Sequence, residues 1–295
     1  MTNDVIFDLQ EVSCAHQGAL VLGPLSLQIR AGSRVAILGA NGSGKTTLLR
    51  LLDALHYPHS GVVSAFGQRI DEAGFADDEV NFAFRRRVGL VFQNPDVQLF
   101  NPTVFDELAF GPLQLGWPRE RILAAVEESL ARLRIAHLRQ RAPHRLSGGE
   151  KKRVALASVL IMEPEVLLLD EPTAALDPES QGEILRFLTE GQGSGRTIVT
   201  TTHDLHLVEG IAEHVIVLGA GKLVAQGTPA EILGDEALLR ATHLIHSHWH
   251  RHADGEVHEH DHLHAHSHAH ATPSITLATS ATPYRPLPRS RPWES

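Results

Sequence analysis

The sequence predicts an α/β fold built around a parallel sheet, and three observations lead there. Through about residue 240, apolar runs alternate with glycine-punctuated turns. One run, Val35 to Leu38, passes straight into a glycine-rich turn and then a helical pattern. Another, Val166 to Leu169, is continuous rather than alternating and ends in two carboxylates, Asp170 and Glu171. A continuous run of that kind suits a central parallel strand buried on both faces, whose carboxyl end is where ligands bind in open α/β sheets.

Composition sets the outer bounds. The chain has 295 residues and a net charge of −9, from 26 Lys plus Arg against 35 Asp plus Glu. That length suits two domains, or one large domain with an appendage, and is enough to bury a sizeable core. The single cysteine, Cys14, excludes an internal disulfide and any multi-cysteine metal site, and suits a reducing cytosol. An acidic balance argues against a dedicated nucleic-acid binder, so no nucleic-acid partner is expected. The longest uncharged apolar stretch, Val154 to Met162, falls far short of the ~20 residues of a spanning helix. Met1 to Asp8 lacks the basic flank and apolar segment of a secretory signal. The expectation is a cytosolic chain that reaches a membrane only through an integral partner.

The first strand-and-turn segment carries a phosphate site. Gly39 and Gly44-Lys45-Thr46 satisfy the G-x4-GK[ST] spacing across Asn41, Gly42 and Ser43, and Thr47 follows. Glycines let backbone N–H groups close around a phosphate, and the helix start adds its dipole and free donors. Lys45 reaches β- and γ-phosphates as a compact charge, and the Thr46 hydroxyl ligates Mg²⁺. A glycine-rich turn that binds nothing would require neither Lys-Thr after the last glycine nor these flanks. The second segment supplies the acids: Asp170 as a further Mg²⁺ ligand, and Glu171 as the general base that polarises the attacking water.

Between them lies Leu146-Ser147-Gly148-Gly149-Glu150-Lys151-Lys152-Arg153, a second anion-binding helix start. Here the chain resembles the ATP-binding-cassette ATPases, whose signature is Leu-Ser-Gly-Gly-Gln, with Glu150 in place of the glutamine. Gln93, after Val88 to Phe92, matches the glutamine loop. Ala175-Leu176-Asp177 matches the D-loop, and His203, after Thr197 to Thr202, matches the switch histidine. The resemblance covers roughly residues 3–240. It implies a RecA-like P-loop ATPase core with an antiparallel β subdomain, and an inserted α-helical subdomain at about 94–160. It further implies ATP and Mg²⁺ as cofactors, with Gln93 joining Thr46 and Asp170 around the metal. Two ATPase chains, identical or paralogous, would close head to tail. One would supply Asn41 to Thr47, Gln93, Asp170, Glu171 and His203, and the other Ser147 and Gly149. His16 stands where an aromatic residue usually stacks on adenine; it is either such a stacker or a solvated loop residue.

Gln93-Asn94-Pro95-Asp96-Val97-Gln98-Leu99-Phe100-Asn101-Pro102-Thr103-Val104, with Glu107 to Pro112, resembles the energy-coupling-factor branch of importers for cobalt, nickel and vitamins. In that branch this region meets the integral membrane T component, beside a substrate-binding S component. Asn94 to Pro118 is therefore the expected coupling surface, and the cytoplasmic face of the membrane the expected location.

From Thr242 the composition changes. Twelve of the 20 histidines fall between His243 and His270, and a Pro/Ser/Arg-rich stretch follows, so 241–295 reads as a disordered, His-rich flexible tail. In an extended chain His258, His260, His262, His264, His266, His268 and His270 form one row, with Glu256, Glu259 and Asp261 interspersed. That row is read as Ni²⁺ or Co²⁺ ligands or as a solvated low-complexity tail. The resulting expectation is the ATP-hydrolysing subunit of a nickel or cobalt importer. A vitamin importer keeps every ATPase residue and discards the tail, and a soluble cassette protein is a third reading.

Overall fold

The computed structural model describes residues 5–190, 195–245, 247–251 and 257–261. Strands β1 (Val5–His16) and β2 (Ala19–Arg30) pair antiparallel, and β3 (Arg34–Leu38) runs through the glycine-rich turn into α1 (Lys45–Leu52). Strands β4 (Ser60–Ala65) and β5 (Gln68–Arg69) complete a four-stranded antiparallel sheet in the order β2-β1-β4-β5. Helices α2 (Glu72–Phe75) and α3 (Asp78–Arg87) start at Asp71 and Asp77, whose carboxylates accept backbone N–H groups that the helix leaves without partners. They lead to β6 (Val88–Val91).

A helical layer follows: α4 (Val104–Gln114), α5 (Arg119–Arg132) and α6 (Gly148–Leu160). The chain then returns through β7 (Val166–Asp170), α7 (Pro178–Glu190), β8 (Thr197–Thr202), α8 (Leu205–Ile211) and β9 (His214–Gly219). Strand β10 (Lys222–Gly227) turns back along β9, and α9 (Pro229–Leu233) and α10 (Glu236–Ala241) follow. The second sheet has the order β10-β9-β3-β8-β7-β6; its neighbours are parallel except β10 and β9. This α/β architecture is the one expected.

Alternation along the strands assigns the layers. On β3, Val35 and Ile37 join the cluster shared with the antiparallel sheet, while Ala36 and Leu38 pack against Val208 and Ile232. On β7, Val166 and Leu168 face the first cluster, and Leu167 and Leu169 face the helical layer with Leu108, Val126 and Val154. Both strands are therefore covered on both faces, which is why their sequences read as unbroken apolar runs.

Within the segment expected to be a flexible tail, β11 (Ser247–Arg251) and β12 (Val257–Asp261) pair antiparallel, with His248 opposite His260 and His250 opposite His258. A His-x-His alternation has the two-residue period of a strand, so the composition that suggested disorder also carries a pairing pattern. His262, His264, His266, His268 and His270 lie outside the described residues.

Leu168→Ala, at a fully buried position, should lower unfolding free energy by about 2–5 kcal/mol. Leu20→Ala, at a position 60% exposed, should stay within about 0.5 kcal/mol. Urea titration of the full chain measures both.

Candidate nucleotide and coupling site

Parallel register brings three strand ends to one level. Leu38 is opposite Thr202, and Asp170 is opposite Thr201, so the residues that follow them, Gly39, His203 and Glu171, emerge together. The turn after β3 bends tightly: Gly44 sits at φ 97°, a left-handed conformation that favours glycine, and a Cβ on Gly39 would stand 2.3 Å from Ser43 Oγ. Ser43 Oγ is itself buried without a hydrogen-bond partner. Buried Lys45 donates from Nζ to the carbonyls of Gly39 (2.7 Å) and Ala40 (3.2 Å).

The acids close the opposite wall. Asp170 accepts from Thr46 Oγ1 at 3.2 and 3.1 Å and from Thr201 Oγ1 at 2.6 Å. Glu171 Oε1 lies 3.4 Å from Lys45 Nζ, and Oε2 lies 2.9 Å from His203 Nδ1. The carboxylate is buried, whereas the His203 side chain is 56% exposed, so His203 stands between the site and solvent. The cavity, about 230 Å³, is lined by Asn41 to Thr47 with Val21, Gln93 and Glu171. Beneath it, buried Lys152 donates to the Glu171 carbonyl at 3.2 Å. Burial pulls the Lys152 ammonium down to about 8, against the opposing pull of the Asp170 and Glu171 carboxylates.

The other expected residues lie elsewhere. Exposed His16 ends β1, opposite Ala19, and is not part of the cavity lining. Ser147 caps α6: its Oγ accepts from the Glu150 N–H, and its own N–H donates to Glu150 Oε2 at 2.7 Å. Glu150 thus completes a reciprocal cap, as the usual glutamine would. Gly149 packs so closely on Ser180 that a Cβ would stand 2.3 Å from its Oγ. Neither Ser147 nor Gly149 lines the cavity of its own chain.

Sequence reasoning missed Val21, Thr201 and Lys152. Polar Thr200 to Thr202, in a strand buried throughout, is the signal that could have pointed to Thr201. A larger cavity, about 880 Å³, is lined from β1, β2 and the starts of β3 and β9, with Gln226 of β10, and holds none of the expected site residues.

A third cavity, about 400 Å³, is an apolar groove walled by Phe82, Phe92, Phe100, Phe110 and Met162. Phe100 and Phe110 meet edge to face at 5.0 Å, with Phe100 67% and Phe110 39% exposed. Glu107 is buried beneath them, and its Oε2 accepts from the N–H groups of Phe100 and Asn101, fixing the loop that presents Phe100. The expected segment Asn94 to Pro118 forms one side of this groove, and α3 supplies the other through Phe82, which sequence reasoning missed. At its floor, Arg85 Nη1 donates to Asp53 at both Oδ2 (2.8 Å) and the carbonyl (2.6 Å). Desolvation outweighs that ion pair and pushes the Asp53 carboxyl up to about 7.

With this geometry in hand, known proteins provide a frame. The sequence pattern of the ABC transporter family matches residues 22–174. A nickel import ATP-binding protein, NikO of Rhodobacter capsulatus, is 58% identical over 242 residues, 81% of this chain and 95% of that protein. The energy-coupling factor transporter ATP-binding protein EcfA of Methanothermobacter thermautotrophicus is 43% identical over 240 residues, covering 81% and 76%. Among solved structures, cbiO1 of Clostridium perfringens, part of the cbiONQ ABC transporter complex, superposes with a TM-score of 0.70 at 37% identity, covering 82% and 95%. The dimeric ATP-binding cassette MJ0796, bound to ADP and Pi, gives 0.69 at 27% identity, covering 76% and 99%.

The Asp53 environment predicts a pH dependence. Because its folded pKa lies above the unfolded value, the native state binds more protons between about pH 4 and 7, and stability falls as pH rises through that window. Asp53→Asn should flatten that slope in urea titrations taken at successive pH values.

Proposed function

Because this chain belongs to the ABC transporter family and is an ABC-type ATPase, we propose that its ATP hydrolysis powers import of nickel or cobalt through a membrane-embedded energy-coupling-factor transporter. The observation that carries the ATPase reading is one contiguous constellation: Lys45, Glu171 and His203 on one side, Thr46 and Asp170 on the other. The metal reading rests on the kinship with NikO and on the histidine-rich segment.

The chemistry follows from these groups. Backbone N–H groups of Asn41 to Thr47 and the Lys45 ammonium take the β- and γ-phosphates. Lys45 now rests on two loop carbonyls and Glu171, so an arriving phosphate competes for it and frees the Glu171 carboxylate. That carboxylate then accepts a proton from the attacking water, while His203 holds its other oxygen in place. Thr46 Oγ1 and the Asp170 carboxylate, hard oxygen donors already in contact, suit Mg²⁺, with Gln93 beside them. Bound there, Mg²⁺ would neutralise charge on the phosphate oxygens.

Ser147 and Gly149 lie outside their own chain's cavity, which suits a role on a second chain's nucleotide in a head-to-tail pair; the MJ0796 cassette, dimeric in its solved structure, supports a pair of chains. No helix among the described residues is long and apolar enough to cross a membrane. The phenylalanine-walled groove would therefore receive an apolar helix of the T component at the cytoplasmic face, with the S component supplying substrate recognition. In the tail, His248 is opposite His260 and His250 is opposite His258 along β11 and β12, which is consistent with a metal reading. Imidazole suits Ni²⁺ and Co²⁺, so the His-rich segment would hold metal as it arrives.

Elemental analysis of cells making the protein with its membrane partners tests this reading. Nickel or cobalt should rise at trace supply with the wild type but not with Lys45→Ala or Glu171→Gln, while Glu171→Gln still binds ATP. Equal metal content in all three strains would overturn metal import and favour a vitamin as cargo. Truncation after residue 245 should leave ATPase activity within about twofold, because Thr46, Glu171 and the groove are untouched. Most bound Ni²⁺ should be lost, and calorimetric titration of the two proteins measures the difference.

A further inference from the structure

The main chain of Glu171 is held in an unusual conformation. Its φ is 46°, in the left-handed region that non-glycine residues rarely adopt. Such a residue persists only where its surroundings fix it, and here both peptide groups are fixed. The Glu171 N–H donates to the Thr201 carbonyl and to Thr201 Oγ1, each at 3.1 Å. The Glu171 carbonyl accepts from Lys152 Nζ at 3.2 Å. Lys152 is 3% exposed, so this ammonium is desolvated for a contact inside the protein.

Lys152 belongs to a run of three cations that the helix sends in different directions. At ~100° per residue, successive side chains of α6 point to different neighbours. Lys151 pairs with Asp96 at 2.6 Å, beside the groove segment. Arg153 pairs with Glu183 on α7. Lys152, between them, turns inward to Glu171. Ser147, the cap of the same helix, lies five residues away, roughly 7.5 Å along the axis, with no break between them.

We propose that Lys152 is a positioning residue for the general base: its bond to the Glu171 carbonyl sets the peptide plane from which the carboxylate projects. Through α6 it couples that placement to the helix start at Ser147. The inference rests on the proposed ATPase reading, in which Ser147 meets the nucleotide of a second chain. Occupation of one site then displaces α6 at Ser147, and Lys152 carries the displacement to the base of the other site. Buried Lys152 needs no substrate contact for this, so its loss should slow turnover without weakening nucleotide binding.

The test compares Lys152→Met, which removes donor and charge, with Lys152→Gln, which keeps an N–H donor one atom shorter. Steady-state ATP hydrolysis is measured on the full chain, alongside thermal midpoints and equilibrium binding of a fluorescent ATP analogue. Lys152→Met should lower kcat about tenfold with KM and analogue affinity within twofold, and Lys152→Gln should recover at least half of the wild-type kcat. Wild-type kcat in Lys152→Met would overturn the proposal. So would a Gln variant as slow as Met, or a loss that appears in KM alone. A folded wild-type chain that binds the analogue without hydrolysing ATP would instead overturn the ATPase reading beneath it.

Discussion

The parallel register of β3, β8 and β7 is the constraint on which the rest of the site depends. Leu38 ends opposite Thr202 and Asp170 opposite Thr201, one residue earlier, so the glycine-rich turn, His203 and Glu171 emerge at the same edge of the sheet. A slip of one residue in β7 would move Asp170 away from Thr46 and turn Leu169 out of the helical layer. Burial of β7 on both faces makes such a slip costly, because each of its residues is buried. Apolar packing in this way sets the positions of charged groups that contribute little to the core themselves.

Those charged groups constrain one another in turn. Lys45, Asp170, Glu171 and Lys152 are all buried at the sheet's edge, and an isolated buried charge costs several kcal/mol. The two carboxylates and two ammonium groups form a locally neutral set, in which Glu171 contacts Lys45 through its side chain and Lys152 through its carbonyl. On the proposed reading, a phosphate entering the glycine-rich turn would bring negative charge into that set and compete with Glu171 for Lys45. Lys152, bound to the main chain rather than the carboxylate, is not drawn into that competition. The carboxylate would then be released while its peptide stays anchored by Lys152.

The sequence made legible the parts of this site whose spacing is local. Gly39 to Thr47 is one turn and one helix start, and Val166 to Glu171 is one strand and its exit, so residue types alone point to the chemistry now proposed. Thr201 and Lys152 were not legible, because they meet Glu171 across 30 and 19 positions of chain and only the folded register brings them there. The groove was half legible for the same reason: one wall is the segment after Gln93, but Phe82 comes from α3, which lies before Gln93 and meets that segment only in the fold. The tail carries two signals at once. Its composition resembles disorder, yet the His-x-His period is that of β12.

The groove and the nucleotide cavity are joined by short rigid paths rather than by a loop. Helix α1 begins at Lys45 in the phosphate turn, and the residue capping its far end, Asp53, is clamped by Arg85 at the groove floor. Helix α6 touches both regions: Lys151 and the Ala155 carbonyl hold Asp96 and Gln98 of the groove segment, while Lys152 holds Glu171. The exposed pair Lys151–Asp96 contributes little stability by itself, so its weight lies in where it ties the helix. Each path spans a few helical turns whose backbone bonds resist compression. On the proposed reading, a shift at the phosphate turn would reach the groove walls along these helices, and a partner helix seated between Phe82 and Phe110 would bias the same two helices. Coupling of this kind is reciprocal by linkage. A partner that favours the groove geometry of the phosphate-bound state must, by the same free energy, tighten nucleotide binding.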